Sequence, residues 1–506
     1  MTKEKFEPVS LKDLVEQSSI RKITIVAWRD LEDVTAGGSE IHAHEIAKRW
    51  AEAGLEVTMR TASTDNNDSV GMRDGYKIIR KSSKYSVFGQ TVIDGLIGRM
   101  PEADVLVEIW NGMPFLSPIW SKGPRVVILH HVHEKALWRS VLPIGLADVG
   151  AYFEKKVAPK FYRNTRVITP STSSADEVID LLGWPDYHVN VVHPGVNSRF
   201  RPQGQKSEYP LIFAVGRLVE VKRYDWVINA VNQLRKRVPN AQLVIAGEGA
   251  AKPDLYKLID ELDASSWCKL AGKISDSQLV SYYRRAWAVV SASMREGWGM
   301  TLTEAGACGT LSVASRIPGH MDAVVDGETG FLFDTLEQFV ECLVQVTTDR
   351  ELSKQLSVGA LRHSSQLTWD AAATRAFQIL DRTYRESTGQ IELLLPKYNK
   401  LKIINRRSAD RVFVDLPIKI NDKKGKLVDL STTGALISQI DSFWYECGDV
   451  IDAEIDIDSG VLDIEGTVVR HIKQENGVIG FGVWFSSQPK SLQELLLKLS
   501  SDNDSY

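Results

Sequence analysis

The sequence predicts an α/β protein in which two facing Rossmann-like domains are followed by a small antiparallel β-barrel. Three observations support this fold class. From Arg21 onward, short apolar runs alternate with helical stretches, which is the pattern of a parallel sheet covered on both faces. The pattern restarts after the turn-rich segment His193-Pro-Gly-Val-Asn197. From Lys402 the sequence pattern changes to short strands of alternating polarity separated by turn residues, which is typical of a barrel.

These changes in the sequence pattern also predict where the domains begin and end. Two doubly wound units usually face each other across a cleft, and ligands bind there at the carboxyl ends of the strands. The predicted segments are a polar lead-in (1–20), a first Rossmann-like domain (21–192), a second one ending in a closing helix (193–388), a linker (389–401), the barrel domain (402–490), and a C-terminal helix and tail (491–506).

Individual elements follow from the same reading. An apolar strand over 23–28 leads through a glycine loop to a helix over about 39–53, which Gly54 is placed to end. The next strand covers 55–61. Further buried strands are predicted over 104–109, 125–129, 166–169, 211–216, 242–247 and 288–291, and the closing helix of the second unit over 370–388.

The composition is that of an ordinary soluble protein, with 43% hydrophobic and 25% charged residues. A net charge of −4 gives no indication of bulk attraction to a nucleic acid polymer or to anionic lipid. The four cysteines form no C-x-x-C pair, which argues against zinc and disulfides and fits a reducing cytosol. The N-terminus lacks an apolar signal core, and no run of about 18 apolar residues occurs. We therefore expect a cytoplasmic protein without a transmembrane helix.

Two loops at predicted strand ends could bind an anion. Gly37 and Gly38 follow a strand and open a helix, where free N–H groups and the helix dipole favour negative charge. A structural turn with Ser39 as helix N-cap is an equal alternative. After the strand at 211–216, Arg217 and Lys222 could bind a diphosphate, the arginine as a fork and the lysine as a point charge. A solvated basic turn is the alternative there.

The most specific enzyme motif is Glu296-Gly-Trp-Gly-Met-Thr-Leu-Thr-Glu304. Two glutamates flank a glycine-containing loop that enters a helix. The loop N–H groups can bind phosphate at the helix N-terminus, and the carboxylates can accept hydrogen bonds from sugar hydroxyls. A bare pair of glutamates at this spacing arises often by chance, but a preceding strand and a following Ala-Gly-Ala-Cys-Gly-Thr make the signal strong.

With these motifs in order, residues 21–388 resemble a family 4 glycosyltransferase of the GT-B fold. The resemblance implies a retaining transfer from a nucleotide-sugar donor, without a metal or other cofactor. It implies that Arg217 and Lys222 bind the donor diphosphate, that Glu296 holds donor-sugar hydroxyls and that Glu304 holds the ribose. The implied catalytic residues are His130, Glu296, Arg217 and Lys222, and the implied donor-binding residues are Gly37, Gly38, Arg217, Lys222, Lys273, Ile274, Glu296, Gly299, Met300, Thr301, Leu302 and Glu304.

The implied catalytic histidine has more than one candidate position. His130, His131 and His133 follow the apolar run 125–129. The family that this sequence resembles places one histidine there, near the transferred sugar, and the spacing after Pro124 favours His130. Because side chains alternate along a strand, only one of His130 and His131 is expected to face the cleft. Which of the two does so stays open.

A second resemblance lies in the barrel domain. Arg407 and Arg411 form R-x-x-x-R, Arg406 extends it, and Asp429-Leu-Ser431-Thr-Thr-Gly434 forms D-x-S-x-x-G. Together they resemble the signature of PilZ domains, which bind cyclic di-GMP. Arginine suits both guanine edges and phosphate. The implied ligand-binding residues are Arg406, Arg407, Arg411, Asp429, Ser431 and Gly434, and a basic linker followed by an ordinary turn is the alternative.

The two resemblances predict a glycosyltransferase that cyclic di-GMP regulates, with activation favoured over inhibition. The expected acceptor is a saccharide or a lipid-linked molecule. The stretch 136–147 is apolar enough to lie on a membrane, with a short buried helix as the favoured alternative. Peripheral contact with the inner face of the membrane and a homo-oligomer both stay open. The alternative function is a cyclic di-GMP effector whose GT-B module is catalytically silent and docks a partner.

Overall fold

The computed structural model describes residues 10–33, 36–64, 67–133, 138, 144–390, 412–420, 423–431, 434–438, 449–457, 460–473 and 479–485. The chain divides into two compact units, Met1–Thr388 and Gly389–Tyr506. The predicted ligand arginines Arg406, Arg407 and Arg411 lie outside the described residues, and so do most of the predicted linker and the predicted C-terminal helix.

The first lobe of the larger unit is built on a sheet whose strands run in the order β3-β4-β2-β1-β5-β6-β7-β8. Neighbouring strands are parallel except for the β3–β4 hairpin, which was not predicted from the sequence. The central strands are buried along nearly their whole length, as apolar runs in a sheet covered on both faces should be. The strands are β1 (Lys22–Val26), β2 (Glu56–Thr61), β3 (Val70–Arg73), β4 (Tyr76–Arg80), β5 (Val105–Trp110), β6 (Arg125–Leu129), β7 (Arg166–Thr169) and β8 (Val189–Val191).

The helices of this lobe cover the sheet. They are α1 (Leu11–Gln17), α2 (Gly38–Glu52), α3 (Val87–Leu96), α4 (Ser117–Trp120), α5 (Ile144–Tyr152), α6 (Pro159–Tyr162) and α7 (Thr172–Leu182), with a π-helical turn at Phe153–Val157 between α5 and α6. Helix α1 corrects the prediction of a polar lead-in: Ser10 caps it in a capping box, and Val15 packs into the core of the first lobe.

The second lobe contains a parallel sheet in the order β11-β10-β9-β12-β13-β14. The chain order reverses between β9 and β12, and this is where an α/β sheet usually binds its ligand. The elements are β9 (Leu211–Val215), α8 (Tyr224–Leu234), β10 (Gln242–Ala246), α9 (Lys252–Glu261), β11 (Cys268–Gly272), α10 (Asp276–Arg285), β12 (Ala288–Ser291), α11 (Met300–Ala307), β13 (Leu311–Ser315), α12 (His320–Ala323), β14 (Gly330–Phe333), α13 (Leu336–Thr348) and α14 (Arg350–Ser365).

The helix predicted to close the second unit packs instead on the first lobe. This helix, α15 (Trp369–Ser387), buries Trp369, Phe377 and other apolar side chains in the same cluster as β1 and α2. The indole nitrogen of Trp50 donates to the carbonyl oxygen of Ala373 at 3.0 Å. The prediction failed because an amphipathic pattern shows that a helix has a buried face but not which sheet covers that face.

The smaller unit forms a closed antiparallel barrel in the order β15-β16-β17-β20-β19-β18, which confirms the predicted architecture. Its strands are β15 (Val412–Ile420), β16 (Lys423–Ser431), β17 (Gly434–Ser438), β18 (Val450–Ile457), β19 (Gly460–Lys473) and β20 (Ile479–Phe485). Ile418, Leu427, Ile437, Ile455 and Val483 fill the interior. Among the described residues of the chain, no helix is long and apolar enough to cross a bilayer.

Candidate active site

The facing loops of the two lobes form a cleft at the predicted motifs. A Cβ atom on Gly38, in the first turn of α2, would lie 3.2 Å from the sulfur of Met300, in the first turn of α11. The glycine loop of the first lobe therefore approaches the Glu296–Glu304 loop of the second lobe directly. The absence of a side chain at Gly38 permits this approach.

An ion pair between Lys222 and Glu296 lies in this cleft. The ammonium group of Lys222 contacts Oε1 of Glu296, and the Ser293 hydroxyl donates to the same oxygen at 2.9 Å. Burial acts to raise the pKa of Glu296, but the charge of Lys222 and the two hydrogen bonds outweigh it and lower the pKa to about 2. Glu296 is therefore a carboxylate at any physiological pH, and its only described cationic contact is Lys222.

Arg217 joins this pair from the end of β9. It is exposed in the cleft and lies within electrostatic reach of Glu296, Arg29 and Glu40. The 3-10 turn at Glu220–Lys222 brings Lys222 back toward the same strand end. The structure thus brings together Arg217, Lys222 and Glu296, which were predicted as site residues from separate motifs.

Arg29 and Glu40 were not predicted as site residues. They form a buried ion pair, with Nε of Arg29 3.0 Å from Oε1 of Glu40 and only 6% of each side chain exposed. Glu40 also accepts the amide of Gly37 at 2.8 Å and the hydroxyl of Ser39 at 2.9 Å. The N-cap of α2 is therefore Gly37 and not Ser39. The overlooked signal was a charged pair, Arg29-Asp30, placed directly after an apolar strand.

Glu304 lies on α11, deeper in the second lobe. The hydroxyl of Tyr283 donates to its Oε2 at 2.9 Å, and burial raises the pKa of Glu304 to about 7. Within the same loop, Met300 and Thr301 form the first turn of α11 after the N-cap Gly299. The amide of Leu302 already donates to the carbonyl of Gly299 at 2.9 Å, so the predicted use of this amide for phosphate would require breaking that bond.

Lys273 and Ile274 occupy the loop that follows β11, the edge strand of the second sheet. The strand order places β11 two strands from β9, a separation of about 10 Å. Lys273 is exposed and Ile274 is half-buried. The two residues therefore lie to one side of the charged cluster, on the same carboxyl edge of the sheet.

The structure separates the two candidate histidines. Nε2 of His130 lies 2.8 Å from Nδ1 of His42, and His130 is 8% exposed. His131 instead lies within electrostatic reach of the cleft residues Glu296, Lys222 and Arg217, and burial lowers its pKa to about 4. Side-chain placement thus favours His131 as the residue facing the cleft, in contrast to the predicted choice of His130. The catalytic role of either residue stays a prediction.

The two lobes also meet through α7 of the first lobe. The carboxylate of Asp322 accepts the amide of Thr172 at 2.9 Å and the hydroxyl of Ser173. A Cβ atom on Gly297 would overlap the carbonyl oxygen of His130, so backbone meets backbone there. These contacts position the Glu296 loop against the histidine loop, and no sequence motif indicated them.

In the barrel, the backbone brings three of the predicted ligand residues together. Ser431 ends β16 and is the register partner of Gly434, which begins β17. Asp429 is paired with Leu436 on β17 and with Phe413 on β15. The motif residues Asp429, Ser431 and Gly434 therefore lie on two neighbouring antiparallel strands of the barrel.

Two Rossmann-like lobes that face each other across a cleft, with cations and carboxylates at the facing strand ends, define the GT-B class of glycosyltransferases. Family models match three consecutive regions of the chain: Glycosyltransferase Family 4 at residues 36–200, Glycosyl transferases group 1 at 196–362, and the PilZ domain at 405–501. The chain is therefore a glycosyltransferase of the GT-B fold with a C-terminal PilZ domain.

Curated relatives carry the same assignment. The chain is 26% identical over 398 residues to the D-inositol 3-phosphate glycosyltransferase of Thermobispora bispora, covering 69% of this chain and 92% of the relative. It is 29% identical over 395 residues to the enzyme of the same name from Thermomonospora curvata, covering 68% of this chain and 90% of the relative. These matches agree with the enzyme class that the family models give, a glycosyltransferase.

Solved structures share the fold of the catalytic unit. Sucrose-phosphate synthase from Thermosynechococcus elongatus superposes with a TM-score of 0.63 at 18% identity, covering 72% of this chain and 100% of that chain. HepE of Anabaena, in complex with UDP and glucose, superposes with a TM-score of 0.57 at 16% identity, covering 72% and 100%. At this identity the likeness concerns the fold alone.

Proposed function

We propose that this chain is a retaining glycosyltransferase that moves a sugar from a nucleotide-sugar donor to a saccharide or lipid-linked acceptor, and that cyclic di-GMP bound to the PilZ domain activates it. The observation that carries the catalytic part is the Lys222–Glu296 ion pair beside Arg217 at the carboxyl ends of the second-lobe strands. The regulatory part rests on the resemblance of the barrel motifs to a cyclic di-GMP signature.

The ion pair has a direct role in this proposal. The donor diphosphate attracts Lys222 and Arg217, and both cations then stabilise the charge that builds on the leaving nucleoside diphosphate. Once Lys222 contacts phosphate, the Glu296 carboxylate can accept hydrogen bonds from hydroxyls of the donor sugar. Because the pKa of Glu296 is about 2, this acceptor is ionised without a proton-transfer step. Glu304 holds the ribose hydroxyls from the other end of the loop.

Candidate substrates come from the comparisons. HepE of Anabaena forms a complex with UDP and glucose, so UDP-sugars are the first donors to test. The curated relatives are named for an inositol phosphate acceptor, which adds a soluble phosphorylated polyol to the acceptors worth testing. Saccharides and lipid-linked saccharides complete the acceptor panel. The donor site needs no metal in this proposal, since Arg217 and Lys222 supply the positive charge.

In this proposal, cyclic di-GMP regulates the enzyme by binding more tightly to one of two conformations of the chain. A ligand shifts an equilibrium only by its differential affinity for the two conformations. Arg406, Arg407 and Arg411 precede β15 in sequence, and Asp429, Ser431 and Gly434 lie at the β16–β17 hairpin. Cyclic di-GMP bound by both groups would contact the segment that joins the barrel to the catalytic unit. We expect the ligand-bound conformation to favour the active state.

The decisive experiment measures nucleoside diphosphate release by the full-length protein across a donor panel, with and without cyclic di-GMP. We expect release with one class of donor, at a rate that rises with the messenger. NMR of the product should show that the anomeric configuration of the donor is kept. An inverted product would remove the retaining mechanism, and equal rates at zero and saturating messenger would remove the regulation. A silent docking module, the alternative function, would release nothing with any donor.

A further inference from the structure

The segment 144–163 of the first lobe presents an exposed stripe that the proposed function does not use. It comprises α5, the π-helical turn and α6. Val149 and Tyr152 are 64% and 65% exposed, and Phe161 is 48% exposed. Lys156, Lys160 and Arg163 are exposed as well. Positions 149, 152, 156, 160, 161 and 163 are all exposed, so they lie on the outer side of the segment as it passes from α5 through the π-helical turn into α6.

The three cations of this stripe, Lys156, Lys160 and Arg163, form no ion pair with an acid in the part of the chain that the structure describes. The one glutamate of the segment, Glu154, is fully buried on the opposite face. Asp148 is half-buried and precedes Lys156 by two helical turns, about 12 Å along a helix axis. Exposed apolar, aromatic and cationic side chains therefore occur together along the outer side of this segment.

The buried face of the same segment supports the cleft. Oε1 of Glu154 accepts the amide of His133 at 3.0 Å, and Oε2 accepts the indole N–H of Trp138 at 2.8 Å. His133 stacks on His131, with ring centroids 4.7 Å apart. The exposed stripe thus lies on the outer side of the element whose inner side holds the histidine loop.

We infer that this stripe, defined by Val149, Tyr152, Phe161, Lys156, Lys160 and Arg163, docks the enzyme on the surface of an anionic lipid bilayer. Tyrosine and phenylalanine are suited to the boundary between headgroups and acyl chains, and lysine and arginine are attracted to anionic headgroups. Charge complementarity selects this occupant over a neutral protein surface. The inference goes beyond sugar transfer, because it concerns where the catalytic unit is held.

The test is flotation of the full-length protein with vesicles of phosphatidylcholine alone and of phosphatidylcholine with phosphatidylglycerol. We expect binding to the anionic vesicles only, falling with salt. The double variant Lys156→Gln/Lys160→Gln should bind about 25-fold more weakly, since each surface cation contributes about a fivefold factor. The double variant Tyr152→Ser/Phe161→Ser should lose about tenfold. Both variants should keep the melting temperature of the parent protein.

A matched control comes from the second lobe, where Tyr256 is 47% exposed and the Lys257 side chain 77% exposed. Tyr256→Ser/Lys257→Gln should bind vesicles like the parent. The inference is overturned if the parent ignores anionic vesicles, if it binds both vesicle types equally, or if the stripe variants bind as well as the control. Binding to a soluble acidic peptide, lost in the stripe variants, together with no binding to vesicles would assign the stripe to a protein partner instead.

Discussion

Arg295 and Glu177 form an ion pair between the two lobes, with Nη1 2.9 Å from Oε1. Arg295 directly precedes Glu296, and its Nη2 donates to the carbonyl of Val132 at 3.2 Å, in the loop that carries His131. One arginine thus links the donor-side carboxylate to α7 and to the histidine loop. We expect this link to set the separation of the facing walls of the cleft.

A charge exchange tests this role. Arg295→Glu and Glu177→Arg should each lower kcat/KM by about tenfold or more, because each leaves a largely buried charge facing a like charge. The double variant should recover part of the loss, since it restores the ion pair but not the Val132 contact. Steady-state kinetics should show the loss mainly in kcat, with the donor KM less affected.

The control for this exchange is the exposed pair Arg237–Glu341, whose side chains are 55% and 52% exposed. Reversing either charge there should change kcat/KM little, since exposed ion pairs contribute little. If the Arg295/Glu177 double variant were as impaired as the sum of its single variants, the pair would have no positioning role.

The Lys222–Glu296 pair gives a second prediction. Lys222→Ala should lower kcat by about 100-fold or more, because it removes a cation aimed at the leaving group. Glu296→Gln keeps the shape and an acceptor for Ser293 but loses the charge, and we expect a comparable loss. Nucleoside diphosphate release by purified variants measures both. Lys252→Ala, at a half-buried lysine paired with Glu248, is the matched control and should keep parental turnover.

Glu304 predicts a pH dependence of donor binding. Burial raises its pKa from the ordinary value of 4.5 to about 7. Its ionised form accepts hydrogen bonds at both oxygens, so the affinity for the nucleotide-sugar should rise with pH through a single step near 7. Calorimetric titrations from pH 5.5 to 8.5 measure this step, and Glu304→Gln should lack it. A step of the same size in that variant would assign the titration to another group.

The same group affects stability with a defined sign. Between pH 4.5 and 7, folded Glu304 holds a proton that the unfolded chain has released. The free energy of unfolding should therefore fall as pH rises through this window, and above it the stabilising contribution is lost. The melting temperature of the parent minus that of Glu304→Gln, measured at each pH, isolates this dependence from the effect of other titrating groups. A difference that does not change with pH would contradict the raised pKa.

The sequence predicted those features that local patterns determine. Apolar runs such as 125–129 identified central strands, because a strand buried on both faces has no polar positions. Arg217, Lys222 and Glu296 could be grouped because strand ends of a parallel sheet share one edge. Contacts between side chains that are distant in the sequence could not be predicted from such local patterns. Helix α15 on the first lobe, the His42–His130 contact and the Arg295–Glu177 pair depend on how the lobes pack, which no short pattern encodes.

Gly297 offers a test of the close approach between the lobes. Because a Cβ atom there would overlap the His130 carbonyl, Gly297→Ala must push the Glu296 loop away from the histidine loop. We expect a loss of kcat/KM of about tenfold and a lower melting temperature. Gly123→Ala is the control, since a Cβ atom at that position meets no atom within 4 Å. Equal activity of the two variants would show that the lobes do not need this contact.

The PilZ arginines give the last prediction. Arg411→Ala and Arg407→Ala should each weaken cyclic di-GMP binding by about tenfold or more, because each removes a charged group suited to guanine or phosphate. The informative quantity is the ratio of turnover with saturating messenger to turnover without it, which should fall to one in a variant that no longer binds. Isothermal titration on the same samples measures affinity and the number of ligands bound. If a variant loses binding yet keeps a raised ratio, cyclic di-GMP bound at these arginines does not control sugar transfer. If the ratio is below one in the parent protein, the messenger inhibits the enzyme instead of activating it.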